Sequence, residues 1–205
     1  MQWRDVSIPM HPEMVVWPGD APFQFAPDQR IARGASCNTS VITCSTHTGT
    51  HCDAPWHFEE TGRRLDEVDS ELFFGDALVM DLPAVDRIRD VHLGTAPLPK
   101  RLLFKTSNSD YPAHAPFKTD YVALDASAAE RLAAEGVRLV GVDYLSVAPY
   151  KQSGQETHHI LLRNGIFAVE GLRLKDIPAG VHPFIVLPMP IAGADGAPCR
   201  AFVYC

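Results

Sequence analysis

The segment His47-Thr48-Gly49-Thr50-His51-Cys52-Asp53-Ala54-Pro55-Trp56-His57 constrains this chain more than any other stretch. His47, His51, Asp53 and His57 all occupy odd positions. Extended backbone has a side-chain period of two, so in a strand-like segment these four groups project from one face. On a helix only His47 and His51 would align, and Gly49, Pro55 and the nearby threonines disfavour a helix. Imidazoles and a carboxylate gathered on one face suit a divalent metal such as zinc or manganese. The bland alternative is a histidine-rich surface loop. In the metal reading, Gly49 allows a close backbone approach and Pro55 fixes the turn that brings His57 round.

A length of 205 residues suffices for one domain with a substantial core. Hydrophobic residues make up 46% and charged residues 21%, the profile of a globular protein. The net charge of −7, with no run of Lys or Arg, weighs against nucleic acid or an anionic membrane surface as partner. No apolar stretch approaches the roughly 20 residues needed to span a bilayer, and the N-terminus lacks a secretory pattern, so the expected location is the cytoplasm. Five cysteines, an odd number without a Cys-x-x-Cys pair, argue for free thiols over a disulfide framework. Cys52 lies at an even position, which turns it away from the presumed ligands and into packing.

Apolar runs predict strands at Ser40–Ser45, Ala77–Leu82, Arg101–Lys105, Val137–Val142, Ile166–Val169 and Phe184–Leu187. Several are continuous, as expected for strands covered on both faces. A helix is predicted over Ala126–Glu135, with Asp125 or Ser127 as its cap and Gly136 as its stop. Further helices are expected over Val85–Val91 and, in a short form, near Asp66. The mixture indicates an α/β or α+β fold with a partly parallel sheet and flanking helices.

Three further features stand out. Thr157-His158-His159 is followed by Glu170 at the end of an apolar run. If that run alternates, Glu170 shares a face with Ile166 and Ala168, leaving a carboxylate in apolar surroundings that needs a cation. Trp17-Pro18-Gly19 has the composition of a structural corner. Asp143, at the carboxyl end of a predicted strand, occupies a place where α/β sites lie but could equally cap a turn.

The 47–57 segment closely resembles the signature of the metal-dependent cyclase hydrolase family, His-x-Gly-Thr-His-x-Asp-x-Pro-x-His, at every fixed position. Length and motif order agree along nearly the whole chain. The resemblance implies a swivelling β/β/α fold and a binuclear metal site, with Zn²⁺ as the expected ion and Mn²⁺ as the alternative. It implies His47, His51 and Asp53 as ligands, Asp53 able to bridge two ions, and His57 as the catalytic acid/base. It further implies one histidine of the 158–159 pair on the second ion, His158 by spacing, and Glu170 as a shared ligand. Trp17 would line the substrate pocket as an aromatic wall. The stretch from Lys105 to Lys118, with Asn108, Tyr111 and His114, is expected to border that pocket. Family members are commonly homodimers or homotetramers, with Trp17 and other N-terminal residues near the interface.

The reaction so implied is amide hydrolysis of a small aromatic substrate, as in conversion of N-formylkynurenine and water to kynurenine and formate. A His- and carboxylate-bound ion can lower the pKa of bound water to about 7, and His57 would move protons. The chain has no convincing Gly-x-Ser-x-Gly elbow for a serine-hydrolase route. Within the same family, hydrolysis of a cyclic amide of the isatin type is the alternative. Outside it stand a non-haem iron oxygenase built on a His51-x-Asp53 triad, and a module that binds metal and ligand without catalysis.

Overall fold

Residues 1–112, 115–151 and 155–205 are described by the computed structural model of the chain. Among the described residues, ten strands and two α-helices follow one another: β1 (Trp3–Asp5), β2 (Gln24–Gln29), β3 (Thr39–Thr43), β4 (His51–Asp53), β5 (Phe74–Leu82), β6 (Arg101–Thr106), α1 (Ala126–Ala134), β7 (Leu139–Val142), α2 (Gln155–Arg163), β8 (Phe167–Glu170), β9 (Gly180–Pro188) and β10 (Gly196–Tyr204). Eight strands form one mixed sheet in the order β1-β10-β4-β8-β7-β6-β5-β9, and β9 also pairs with β10, which closes a ring. Strands β5 to β8 run parallel to their neighbours within that group, as in crossover units, while the remaining pairings are antiparallel. Strands β2 and β3 form a separate hairpin whose residues are largely exposed.

The continuous apolar runs have a simple cause. Leu103, Leu139, Phe167, Val169, Phe184 and Val186 point into a core enclosed by the ring. Their alternating neighbours Leu102, Phe104, Val140, Val142, Ile166 and Ala168 form a second core against α1 and α2. Both faces of β6, β7 and β8 are therefore dry, whereas β9 buries Phe184 and Val186 but leaves Leu187 exposed on its other face. The 40–45 run differs further, becoming β3 of the exposed hairpin.

Helix α1 forms where expected, and the Asp125 carboxylate accepts the Ala128 amide at 3.1 Å as its N-cap. A single 3₁₀ turn, Leu65–Glu67, occupies the expected site near Asp66. No helix forms over Val85–Val91: Ile88 is completely buried and bridges to Leu124, and a 3₁₀ turn follows only at Asp90–Leu93. Burial of Ile88 in extended backbone overrides its local helical pattern. Helix α2, which carries His158 and His159, is an element that the residue pattern did not announce.

One glycine ties the sheet to the site. Gly171 follows β8 with φ +72°, and a Cβ there would stand 2.5 Å from the Gly49 carbonyl oxygen. The Gly171 carbonyl in turn accepts the Thr50 hydroxyl at 2.6 Å. Gly171→Ala is expected to cost at least about 1–2 kcal/mol from the left-handed backbone alone. Thermal unfolding checks this, and an unshifted midpoint would contradict the close approach.

Candidate metal centre

The 47–57 segment is not one extended strand. Only His51–Asp53 is strand, Gly49 adopts φ +68° in the turn before it, and Pro55–His57 is a 3₁₀ turn after it. His47 and His57 nevertheless converge, their rings stacked with centroids 3.8 Å apart and planes 26° from parallel. The turn and the 3₁₀ segment fold both ends back over β4, which strict extension could not do.

Register then completes the cluster. β4 lies between β8 and β10, and His51 is directly opposite Glu170, which places their side chains within reach on one face. The facing Cys52 and Val169 turn into the ring core instead. His158 reaches the same place from α2, its Nε2 3.4 Å from Glu170 Oε1 and 4.0 Å from Asp53 Oδ2. His159 points elsewhere, pairing with Glu59 at 2.8 Å near the surface. Of the two adjacent histidines, the structure brings only His158 to the cluster.

His51 Nδ1 lies 3.0 Å from the Gly49 carbonyl, which can only accept, so that nitrogen carries the proton. Its Nε2 is left facing Glu170 Oε2 at 3.3 Å and Asp53 Oδ1 at 3.4 Å. His47 Nδ1 lies 2.8 Å from the same Asp53 oxygen. Glu170 Oε1 accepts the Val147 amide at 2.7 Å, which fixes the carboxylate. Asp53 and Glu170 are 1% and 3% exposed.

Two carboxylates buried together repel, so the histidines carry the compensation. Burial pushes the Asp53 carboxyl upward, but His47 above all, with His51 and His57, holds it well below the usual carboxylate range. Burial and Asp53 both push Glu170 upward, yet His158 and His51 bring it below its ordinary value. Burial opposes the charged form of His47, and Asp53 and Asp195 outweigh it, lifting the imidazole to about 10. His51 is raised as well, against full burial, by Glu170 and Asp53.

Donor chemistry tests the fit to a metal. His47, His51 and Asp53 offer ligand atoms within 4.8 Å of one another, as do Asp53, His158 and Glu170. Asp53 belongs to both groups. Three imidazoles and two carboxylates, one of them shared, suit a borderline divalent ion, and the residues fit. They also exceed the three ligands of an iron facial triad, which leaves the oxygenase reading without support.

His57 stands apart, its side chain 27% exposed and its ring stacked on His47. A cavity of about 390 Å³ opens over the cluster, lined among others by Trp17, His57, Phe58, Leu145, Tyr150 and His158, a size suited to a small molecule. Trp17 contacts Phe117 and Tyr150 edge-on, with centroids 5.2 and 5.5 Å away. Phe58 stacks on His158 at 4.4 Å.

Asp143 has a structural role: it is buried and gathers the amides of Thr106 and Ser109, both their hydroxyls and the Asn108 amide group. Asn108 and Tyr111 therefore border a smaller neighbouring pocket rather than the metal-side cavity. His114 lies outside the described residues. Burial drives the Cys52 thiol well above its ordinary value, which disqualifies it as a nucleophile.

Residue spacing did not reveal Phe58, Phe117, Tyr150 or Asp195. Asp195 contacts both His47 and His57, but Ala194-Asp195-Gly196 has the composition of an ordinary turn.

The chain is similar to known proteins of one family. The family model "Putative cyclase" matches residues 4–149. A kynurenine formamidase of Bacillus cytotoxicus is 35% identical over 208 residues, covering 98% of this chain and 97% of that protein. A solved structure described as a potential metal-dependent hydrolase with cyclase activity superposes with a TM-score of 0.85 at 31% identity, covering 98% of this chain and 96% of the other. Isatin hydrolase A of Labrenzia aggregata shares the fold at a TM-score of 0.83 and 21% identity, covering 98% and 93%.

If His47 serves as a ligand, as proposed below, its raised value makes metal uptake pH-dependent. The imidazole keeps its proton in the metal-free protein up to about pH 10, against an ordinary value of 6.5. A metal ligand must be deprotonated. Ion binding at His47 would displace that proton, and apparent affinity would rise with pH through this window, by up to about tenfold per unit for one proton. Titrating metal-free protein with Zn²⁺ in weak buffer should release protons at neutral pH. Uptake without release would contradict the assignment.

Proposed function

We propose that this chain, which belongs to the cyclase family, is a metal-dependent aryl-formamide hydrolase of the kynurenine formamidase type. N-formylkynurenine and water would give kynurenine and formate. The observation that carries the reading is a buried carboxylate–imidazole cluster at the floor of an aromatic-walled cavity, with one further imidazole, His57, beside it. The full-length similarity to a kynurenine formamidase favours the formamide. The likeness to isatin hydrolase, at 21% identity, bears on the fold alone.

We assign His47, His51 and Asp53 as the residues that would hold one ion and His158 as a ligand that would hold a second, with Asp53 and Glu170 shared between the two; Zn²⁺ is the expected metal and Mn²⁺ the alternative. Such an ion, when bound, acidifies water and polarises an amide carbonyl. His51 is held in the tautomer that presents Nε2 to the cluster by the Gly49 carbonyl. Trp17, buttressed by Phe117 and Tyr150, is placed to pack against the aryl ring. That packing would direct the formamide inward and help exclude water from the cavity floor. His57 lies on the cavity side of His47. It can take a proton from the attacking water and return it to the departing aryl nitrogen, so that the amine leaves neutral.

A homodimer or homotetramer fits the exposed apolar residues Phe25, Val41 and Ile42 on the β2–β3 hairpin. A cytoplasmic location fits the free cysteines. Among the described residues no helix is long and apolar enough to cross a membrane.

Steady-state rates on N-formyl-aryl amines, isatin and simple cyclic amides test the assignment. Aryl formamides should turn over fastest; preference for the cyclic amides would replace this reading with the isatin-type one. His57→Ala should lower kcat by about 10²–10⁴-fold at unchanged metal content, and unaltered turnover would remove His57 from the reaction. Trp17→Ala should raise KM for aryl formamides, measured on the same panel, while leaving metal content intact.

A further inference from the structure

We propose that Asp195 is a positioning residue that orients both His47 and His57, one carboxylate serving the metal ligand and the acid/base together. The inference rests on the assignment of those two histidines above. Asp195 Oδ2 lies 2.9 Å from His47 Nε2, at hydrogen-bond length. The other nitrogen of that ring, Nδ1, faces Asp53 Oδ1 at 2.8 Å. A ring with one nitrogen toward the ligand cluster and the other on a carboxylate matches the carboxylate–histidine–metal arrangement. There the outer carboxylate fixes both tautomer and ring plane.

The same Oδ2 lies 3.6 Å from His57 Nδ1. That is too long for a hydrogen bond in this state, yet close enough for an electrostatic hold. Because the two imidazoles are stacked 3.8 Å apart, a carboxylate at their common edge sets the position of both.

Asp195 is itself held in place. Its Oδ1 accepts the Thr46 hydroxyl at 3.1 Å, and its carbonyl accepts the Ala54 amide at 2.9 Å. The next residue shows how closely His47 is seated: a Cβ on Gly196 would stand 2.8 Å from His47 Cε1. His47 thus rests between Asp53, Asp195 and the bare backbone of Gly196.

A rival use of the same atoms is direct ligation, because His47, His57 and Asp195 also offer donors within 4.8 Å. Positioning is favoured because Oδ1 is engaged by Thr46 while Oδ2 is directed at a ring nitrogen at hydrogen-bond length. Asp195 also sits at the rim with its side chain 34% exposed, whereas Asp53 and Glu170 are buried.

Asp195→Asn keeps the shape and removes the charge. Chelator competition should show ion affinity weakened about 10–100-fold, the usual effect of losing such an outer partner. At saturating metal the variant should still bind the full complement of ions. Its kcat on an aryl formamide should fall roughly tenfold or more while KM changes little, because the lost group positions the reacting machinery and not the aryl ring. Wild-type affinity and kcat would overturn the proposal. So would loss of a whole equivalent of ion at saturation, which would make Asp195 a ligand.

Should Asp195→Asn fail to fold, Thr46→Val frees Oδ1 and tests the same point. Weaker ion binding supports the proposal, and unchanged binding overturns it. Ion affinity needs no substrate. A wild-type protein that binds metal but hydrolyses no aryl formamide would defeat the functional assignment, while the affinity of the variant would still decide the role of Asp195 toward His47.

Discussion

Asp53 and Glu170 are buried beside one another, and the rest of the site is organised by that fact. Ionised carboxylates placed together in a dry interior are costly unless positive charge lies within a few ångströms. The chain supplies His47, His51 and His158 around them. Imidazole meets that need in two ways, as a cation when protonated and as a neutral donor to a divalent ion. The pair of carboxylates therefore selects the residue type of its neighbours and, through them, the chemistry of the cavity.

The fold delivers these groups with little local structure. Strand β4 spans only His51–Asp53, yet it is clamped between β8 and β10. The inward-facing Cys52 anchors it in the ring core, which fixes the opposite direction for its neighbours. α2 carries His158 over the outer face of the sheet, and its adjacent residue His159 turns aside to Glu59. Ring core, helix and close Gly171–Gly49 approach thus converge on one small volume. Such rigid supports hold ligands better than loops do.

Much of this was legible from the residues, for identifiable reasons. Strands dry on both faces appear as unbroken apolar runs, and capping chemistry narrowed the start of α1 to Asp125 or Ser127, of which Asp125 is the cap. The parity of His51 and Asp53 against Cys52 gave the correct inward and outward directions of β4. Parity could not give the route by which His47 and His57 return, because that depends on a glycine turn and a 3₁₀ segment. Tertiary burial of Ile88 erased an expected helix, and α2 stayed hidden because its histidines face two different environments. Asp195 was invisible since only the fold brings the loop before β10 to the edge of the stacked imidazoles. The resemblance to a known signature identified His158 and Glu170 as partners of a cluster about a hundred residues away; spacing alone had left that open.

The most direct measurement is reconstitution. Metal-free protein is prepared by chelation, and Zn²⁺ or Mn²⁺ is returned in steps while bound ion and hydrolysis of an aryl formamide are followed together. Hydrolysis should be absent without ion and should rise with the ion bound until the cluster is full. Undiminished hydrolysis by the metal-free protein would contradict the claim that the Asp53–Glu170 cluster acts by holding a divalent ion.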